Sequence, residues 1–574
     1  MTLTVPATGD VGEHPGVVRR LWALPLWAHA AALAVLLAAL LPLMSPQSSF
    51  TSDEGAYALQ VAALEDGSWA YRYQAERFDP DGAAFPIINS ERGESGFHPY
   101  VKHPAWPLML RGTTAALGDT VGLHLLGLLG IVGAAIAAWL LAGELDPRLR
   151  RSAFWLAAGS PVLVNGFAIW AHAPSAALAG LALVAAARIA RRGITAGAVA
   201  GAASALVGGV LLRSEGLLFA GALAVALAVV LHHSVGWKPA IGAFGLLAGP
   251  AGLAALLEKR WVEDIIGDIV GGATQTLALR RSGSASYLDG RIDGTWHELF
   301  QGHFSDSAAG LPALAALLLV VIVGFLALRH WGTASRLLLA AASLGAIALL
   351  VLRSSAHPHE AVTGLLPAWP LAVLGIVLVR WRGSLPLVRL LGSTTLVFAA
   401  AIVATQYAEG GGLEWGGRFL SPVLVPMAVL AASGLVRTLD SVPRPERTAA
   451  VALVVAVGVA SGVFGLATAG ALRAREDAII AALARHPAQV VVTTRPAYPR
   501  LAWRADEDLA WMLVDRSGLP ALVGALRSRG VEEMVLVVAA DEPLAGLDGF
   551  RSLTVEQEPA LAGDGMKLVV ARAE

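Results

Sequence analysis

Long apolar stretches separated by short polar segments dominate this chain of 574 residues. Many of the stretches approach the roughly 20 residues that a helix needs to cross a bilayer. The polar segments that would lie on one side of the membrane carry Lys or Arg, and this bias marks the cytoplasmic side. The pattern predicts an all-α polytopic membrane bundle with about thirteen spans, at 21–44, 120–143, 152–171, 174–190, 194–212, 215–232, 239–257, 311–328, 337–352, 362–379, 390–406, 419–436 and 448–470.

The orientation of the bundle follows from its first polar segment. Arg19 and Arg20 precede the first apolar stretch, so the N-terminus is predicted to be cytoplasmic. An odd number of spans then leaves the C-terminal part of the chain on the outer side. The predicted organisation is a cytoplasmic N-terminus at 1–20, a transmembrane region at 21–470 with outer segments at 45–118 and 258–310, an interfacial helix at 104–118, and an extracytoplasmic region at 471–574.

The C-terminal region differs in character from the rest of the chain. Gln489–Thr494, Met534–Val538 and Met566–Ala571 have the apolar, β-branched composition of buried strands, and Leu519–Arg529 has the pattern of a helix. Strands that alternate with a helix predict a small α/β domain. The G-x-G-x-x-G fingerprint of a dinucleotide site is absent from its sequence.

Composition narrows the class of protein further. Hydrophobic residues make up 56% of the chain and charged residues 15%, whereas a soluble domain is nearer a quarter charged. The net charge of −1 gives no basic footprint, so no nucleic-acid partner is expected. Cysteine is absent, which excludes disulfides and thiolate chemistry. The abundance of Arg, Ala, Gly, Val and Leu is typical of a GC-rich bacterial genome, so we expect a bacterial inner (plasma) membrane protein.

Unusual polar residues gather on the predicted outer face. Asp53 and Glu54 follow the first span, and carboxylates where a chain leaves the bilayer indicate a functional site, although a solvated acidic loop is the plainer alternative. Arg418 follows two glycines that permit close backbone approach, and its guanidinium suits an anionic headgroup. The other candidates on this face are Lys102, His103, His172, Arg213, Glu215, His357 and Trp415.

Several of these candidates have a structural alternative. Arg213 and Glu215 have the spacing of an ion pair at a helical hairpin. His172 fits an ordinary interfacial histidine, and Trp415 fits the aromatic belt at a membrane surface. His357 opens a His-Pro-His-Glu run that has the composition of a metal site but lacks the H-E-x-x-H spacing. No metal ligand is therefore assigned, and a divalent cation (Mg²⁺, Mn²⁺ or Ca²⁺) is left open because an Asp-Glu pair with nearby His can bind one.

A face of this kind suits sugar transfer from a lipid carrier. The sugar leaves from a phosphate, which requires cationic side chains. One carboxylate must take the proton of the acceptor hydroxyl, and the second binds the acceptor or orients the first. The lipid tail needs an apolar groove between helices. One base with direct attack predicts inversion at the anomeric carbon.

Five short motifs carry a resemblance to a known superfamily. They are Thr51-Ser-Asp53-Glu54-Gly-Ala-Tyr57, Lys102-His103-Pro104-Ala-Trp106-Pro107, Trp170-Ala-His172, Arg213-Ser-Glu215 and Gly416-Gly417-Arg418-Phe-Leu-Ser-Pro422. Their order and common side resemble the GT-C glycosyltransferases, and most closely the bacterial group of protein O-mannosyltransferases and aminoarabinose lipid A transferases. The likeness covers residues 20–440. An inserted domain of the eukaryotic mannosyltransferases is missing from the sequence, which weakens an assignment to protein mannosylation.

The resemblance implies an inverting hexosyl- or pentosyltransferase that uses a polyprenyl-phosphate sugar, with a cell-envelope glycan, lipid or protein as acceptor. Asp53 matches the position of the catalytic base, and Glu54 neighbours it in the acceptor site. Two other hypotheses stay open: a flippase of lipid-linked saccharides, which should show internal repeats, and a scaffold that presents the C-terminal domain. Donor phosphate binding is expected from Lys102, His103, Arg213 and Arg418, and substrate binding from His172, Glu215, His357 and Trp415.

Overall fold

The computed structural model of the chain is mainly helical. Its described residues also form a two-stranded antiparallel sheet, of β1 Ser90–Gly93 and β2 Gly96–Pro99, and a five-stranded sheet near the C-terminal end. The strands of the larger sheet are β3 Val490–Thr493, β4 Trp511–Leu513, β5 Glu533–Ala539, β6 Phe550–Glu556 and β7 Met566–Ala573. The structure describes residues 24–44, 48–87, 90–93, 96–99, 102–266, 287–300, 362, 364–379, 381, 384–405, 415–441, 443–486, 488, 490–502, 509–541, 550–556 and 566–573.

Eighteen α-helices lie in these described residues, with short 3₁₀ turns at Leu41–Met44, Pro147–Leu149 and Arg418–Val423. The helices are α1 Leu26–Leu40, α2 Ser52–Glu65, α3 Ala105–Leu117, α4 Asp119–Leu145, α5 Arg150–Ala158, α6 Val162–Phe167, α7 His172–Arg192, α8 Ala196–Leu212, α9 Glu215–Val235, α10 Trp237–Ile266, α11 Tyr287–Phe300, α12 Leu365–Ala368, α13 Pro370–Val377, α14 Pro386–Thr405, α15 Leu424–Asp440, α16 Arg444–Ala484, α17 Tyr498–Leu501 and α18 Leu519–Ser528.

The membrane character of the bundle is confirmed. Eight helical segments of the described chain are long and apolar enough to cross a bilayer, from Leu26–Met44 to Ala450–Ala484. The shorter helix α8 matches a predicted span as well. The predicted spans at 311–328 and 337–352 lie outside the described residues, so the count of thirteen stays a prediction.

Two predicted spans are divided rather than continuous. In place of one helix at 152–171 there are α5 and α6, because Gly159-Ser160-Pro161 interrupts the helical hydrogen bonds between them. In place of 362–379 there are α12 and α13, which meet at a proline. The expectation of one helix in each place was wrong, and in both places the sequence carries the proline that explains it.

Small residues set how closely the central helices pack. A β-carbon at Gly130 of α4 would overlap the backbone at Pro174 of α7, and one at Gly180 would lie 2.7 Å from the β-carbon of Ala137. Helices in membranes approach one another through such small residues, since lipid gives little hydrophobic force for association. The close contact of α4 with α7 fixes the position of Trp170, just before α7, and of His172, the first residue of α7.

The C-terminal sheet has five strands in the order β4-β3-β5-β7-β6. β3 runs parallel to β4 and β5, whereas β7 is antiparallel to β5 and β6. The run of valines in β3 is fully buried, as expected for a central parallel strand. The three predicted strands and the helix at 519–529 are confirmed, and β4 and β6 were not predicted.

The segment that follows α2 packs against the same sheet. Tyr73, Phe78 and Ala84 are buried in one hydrophobic cluster with residues of β3, β5 and β7. The backbone N–H of Leu513 in β4 donates to the carbonyl oxygen of Ala84 over 2.8 Å. The chain that follows α2 is therefore fixed to the C-terminal domain.

Candidate active site

Asp53 lies in the first turn of α2, with a side chain that is 17% exposed. Its Oδ2 accepts a hydrogen bond of 2.7 Å from Nη1 of Arg418, and its Oδ1 lies 3.9 Å from Nη1 of Arg500. Burial raises the pKa of Asp53, but the charges of both guanidinium groups and the hydrogen bond from Arg418 outweigh it and hold the pKa below the usual value. Asp53 is therefore a carboxylate at neutral pH.

Arg418 is held in a defined orientation. It begins the 3₁₀ turn Arg418–Val423 directly after Gly416 and Gly417, whose φ angles of 70° and 64° suit glycine. Its guanidinium carbon lies 5.3 Å from the ring centre of Trp170 and 5.2 Å from that of Phe419. The two aromatic rings and the hydrogen bond to Asp53 thus hold the guanidinium group of Arg418 next to the Asp53 carboxylate.

Glu54 faces away from Asp53 into a closed polar cluster. Its side chain is fully buried, and Oε2 accepts hydrogen bonds of 2.9 Å from Nη2 of Arg473 and from the backbone N–H of Ile169. Its Oε1 accepts the backbone N–H of Thr51 over 2.9 Å, which helps to cap α2. Glu54 thus joins α2 to α16 and to the segment before α7.

Arg213 and Glu215 form the ion pair that was one of the two alternatives for them. Nη2 of Arg213 lies 2.6 Å from Oε1 of Glu215, and both side chains are buried.

His172 stacks on Trp170, with ring centres 4.7 Å apart and planes 10° apart. His172 and Arg418 therefore contact the same indole ring, and this brings His172 to the site.

His103 is held at both ring nitrogens. Nδ1 lies 2.6 Å from Oε1 of Glu258, and Nε2 accepts the backbone N–H of Ser214 over 3.1 Å. His103 also has a φ of 56°, which is unusual for a residue with a β-carbon and indicates backbone strain. A phosphate would have to displace one of these contacts to reach the ring. Lys102, beside it, is half-buried.

Two predicted site residues are not placed beside Asp53. Trp415 is buried against Phe464 of α16, with ring centres 5.8 Å apart, so it packs against a neighbouring helix. His357 lies outside the described residues. The prediction that these two bind substrate therefore stays a prediction.

Sequence reasoning missed three residues of the site. Arg473 and Arg500 were assigned to the outer tail, and Tyr57 was quoted only as part of a motif. Tyr57 is buried one turn after Asp53, and burial raises its pKa to about 12, so its hydroxyl stays protonated. An arginine beside a long apolar stretch, as Arg473 is beside the last span, was the available signal.

A divalent cation at the Asp-Glu pair stays an open prediction. Hard cations need several oxygen ligands, but the carboxylates of Asp53 and Glu54 each face a guanidinium group. In the part of the chain that the structure describes, no three His, Asp or Glu side chains cluster as metal ligands.

An apolar cavity of about 230 Å³ adjoins the turn that carries Arg418. Phe419 and Leu420 form one wall, and α14 supplies most of the apolar lining. Arg291 and Glu298 of α11 line it as well.

The chain is similar in structure to two solved proteins of known name. No protein-family model and no curated protein matches its sequence. ArnT from Cupriavidus metallidurans, solved with undecaprenyl phosphate, is 12% identical, with 95% of this chain and 97% of ArnT covered and a TM-score of 0.49. An oligosaccharyltransferase from Archaeoglobus fulgidus, in complex with Zn and sulfate, is 14% identical, with 89% of this chain and 68% of that chain covered and a TM-score of 0.44.

Proposed function

We propose that this chain transfers one sugar from a polyprenyl-phosphate carrier to a hydroxyl group of a cell-envelope acceptor. The transfer takes place at the outer face of a bacterial plasma membrane. The observation that carries the proposal is the environment of Asp53, an ionised carboxylate that lies between two guanidinium groups, Arg418 and Arg500. Such a group can take a proton beside a departing phosphate.

In the proposed reaction the acceptor oxygen attacks the anomeric carbon of the sugar. Asp53 takes the hydroxyl proton as the new bond forms. The bond from the anomeric carbon to the phosphate oxygen breaks, and its electron pair stays on the phosphate. Arg418 stabilises the charge that develops there. Attack from the face opposite the phosphate inverts the anomeric configuration.

The part of the lipid tail nearest the phosphate would lie in the apolar cavity that Phe419 and Leu420, the residues after Arg418, help to line. The cavity is lined mostly by apolar side chains of α14 and by Phe419 and Leu420. A lipid there would have its phosphate next to the cation that Asp53 contacts. The run from Gly416 to Leu420 turns the backbone here. Arg418 therefore lies next to Phe419 and Leu420, which line the cavity.

Glu54 has a positioning role in this proposal rather than a catalytic one. It accepts hydrogen bonds from Arg473 and from two backbone N–H groups, which occupies both carboxylate oxygens. Glu54 is also fully buried, whereas Asp53 is 17% exposed, so an acceptor hydroxyl cannot reach Glu54. Its function is to hold the start of α2, and with it Asp53, in place. No step of the proposed reaction requires a divalent cation.

The test is turnover of the full chain in liposomes with a panel of undecaprenyl-phosphate hexoses and pentoses and an envelope extract. Mass spectrometry follows the release of undecaprenyl phosphate. Asp53→Asn should lower turnover by about 10²–10⁴-fold, the usual contribution of a general base. Asp66→Asn, at the exposed end of the same helix, is the matched control and should keep wild-type turnover.

Wild-type turnover in Asp53→Asn would refute the assignment of the base. A flippase gives a different result, because the wild type and Asp53→Asn would then move a fluorescent lipid-linked sugar across the bilayer equally well while neither consumed it.

A further inference from the structure

Arg500 contacts Asp53 from the C-terminal domain, outside the helices that are long and apolar enough to cross a membrane. It belongs to the four-residue helix α17, which follows strand β3 of the C-terminal domain. The residue is 5% exposed, and its Nη1 lies 3.9 Å from Oδ1 of Asp53. The C-terminal domain thus contributes a buried cation to the site that the transmembrane part forms.

The contact between α17 and α2 is close enough to define where Arg500 lies. A β-carbon at Gly55 would overlap the carbonyl oxygen of Arg500. Near it, the backbone N–H of Ser49 donates to the carbonyl oxygen of Leu501 over 3.5 Å. Backbone meets backbone here, so the position of the guanidinium depends on the docking of the domain and not on a flexible loop.

The two oxygens of Asp53 are held unequally. Oδ2 has a hydrogen bond of 2.7 Å from Arg418, which also lies over two aromatic rings. Oδ1 has Arg500 at 3.9 Å, which is an ion pair without a direct hydrogen bond. The contact to Arg500 is therefore the easier one to exchange. An incoming phosphate offers Arg500 short charge-assisted hydrogen bonds that Asp53 does not supply.

We propose that Arg500 binds the phosphate of the lipid donor and moves to it from Oδ1 of Asp53 when the donor arrives. The inference rests on the proposed function and adds a residue and an order of events to it. Before the donor binds, Arg500 covers the oxygen that must accept the proton. After it binds, Oδ1 faces the acceptor hydroxyl. The C-terminal domain thereby links the presence of donor to the exposure of the base.

Binding of undecaprenyl phosphate to the full chain in nanodiscs tests the proposal, with undecaprenol, which lacks the phosphate, as the reference lipid. Arg500→Gln should weaken binding of undecaprenyl phosphate by about 10- to 100-fold, the value of one charge-assisted hydrogen bond. Binding of undecaprenol should not change. Arg500→Lys should restore part of the affinity. Arg516→Gln removes an exposed cation from the same domain and should bind both lipids as the wild type does.

Competition between Asp53 and the phosphate gives a second readout that a purely structural role would not produce. Asp53→Asn removes the charge that holds Arg500, so undecaprenyl phosphate should bind more tightly, by about tenfold or more. The gain should be smaller when Arg500→Gln is also present. If Arg500→Gln fails to fold, the affinity of Asp53→Asn alone still tests the exchange.

The outcomes separate the proposal for Arg500 from the proposed function of the chain. Loss of binding in Arg418→Gln with wild-type affinity in Arg500→Gln overturns the role of Arg500 and leaves the donor class intact. Equal binding of undecaprenyl phosphate and undecaprenol by the wild type refutes the polyprenyl-phosphate donor itself, and the inference with it. Weaker binding of undecaprenyl phosphate by Asp53→Asn overturns the exchange.

Discussion

Arg473→Met removes the positive partner of a carboxylate that has no access to solvent. Arg473 is 1% exposed and Glu54 is fully buried. Besides the contact with Glu54, Nη1 of Arg473 donates to the carbonyl oxygen of Met44 over 2.6 Å, and Nη2 donates to that of Phe167 over 2.9 Å. The substitution therefore leaves a buried charge and two carbonyl groups without this donor.

The loss in the free energy of unfolding caused by Arg473→Met can be estimated from buried ion pairs in general. Removal of one partner of a buried ion pair costs about 3–5 kcal/mol, because the remaining charge stays in a poorly solvated place. At roughly 2 °C per kcal/mol for a large domain, the apparent Tm should fall by about 6–10 °C. The double variant Glu54→Leu, Arg473→Met removes both charges and should recover part of that loss.

Thermal unfolding of the detergent-solubilised full chain, followed by tryptophan fluorescence, measures the effect. Arg527→Met removes an exposed cation of α18 and is the control, with an expected change within about 0.5 kcal/mol. Glu54→Gln should lower Tm and turnover together. Asp53→Asn should remove most turnover with a smaller loss of Tm, because Asp53 is the more exposed of the two carboxylates. A wild-type Tm in Arg473→Met, or loss of turnover in Glu54→Gln at a wild-type Tm, would refute the structural role of this pair.

Two further predictions concern the two arginines that contact Asp53. Because its folded-state pKa is depressed, its ionised form contributes stability above the ordinary value of 3.8, and that contribution is lost as pH falls through the lowered pKa. Arg418→Gln should move the acidic limb of the pH–turnover profile to higher pH, and an unmoved limb would show that Arg418 does not act on Asp53. Gly55→Ala should push α17 from α2 and weaken binding of undecaprenyl phosphate as Arg500→Gln does, whereas wild-type binding would mean that the close backbone contact is not needed.

The transmembrane organisation was largely predictable because it rests on local composition. Apolar runs gave helices close to the predicted bounds, such as 120–143 for α4 and 215–232 for α9. The division of 152–171 was missed because a hydropathy average is insensitive to one Gly-Ser-Pro break. The helix α2 was missed because the outer segment after the first span is polar on average, although Thr51 and Glu54 have the spacing of a capping box.

The site was predictable only in part, since its central contacts join distant parts of the chain. Asp53 and Arg418 were selected from their motifs, but their hydrogen bond spans 365 positions. Arg500 stands in an ordinary polar stretch of the tail, and only the docking of the C-terminal domain brings it to Asp53. The role of Glu54 could not be separated from that of Asp53 by sequence, because adjacent residues at a helix start point in different directions and only the packing shows which one meets Arg473.

A structure of the Asp53→Asn variant with a polyprenyl-phosphate sugar tests the central claim most directly, because the substitution should stop turnover and retain the donor. The account predicts the phosphate within about 3 Å of the guanidinium groups of Arg418 and Arg500, the anomeric carbon facing position 53, and the lipid tail in the cavity beside Phe419. A lipid that passes through a cavity open to both leaflets, with its phosphate remote from position 53, would contradict the transferase and support a flippase.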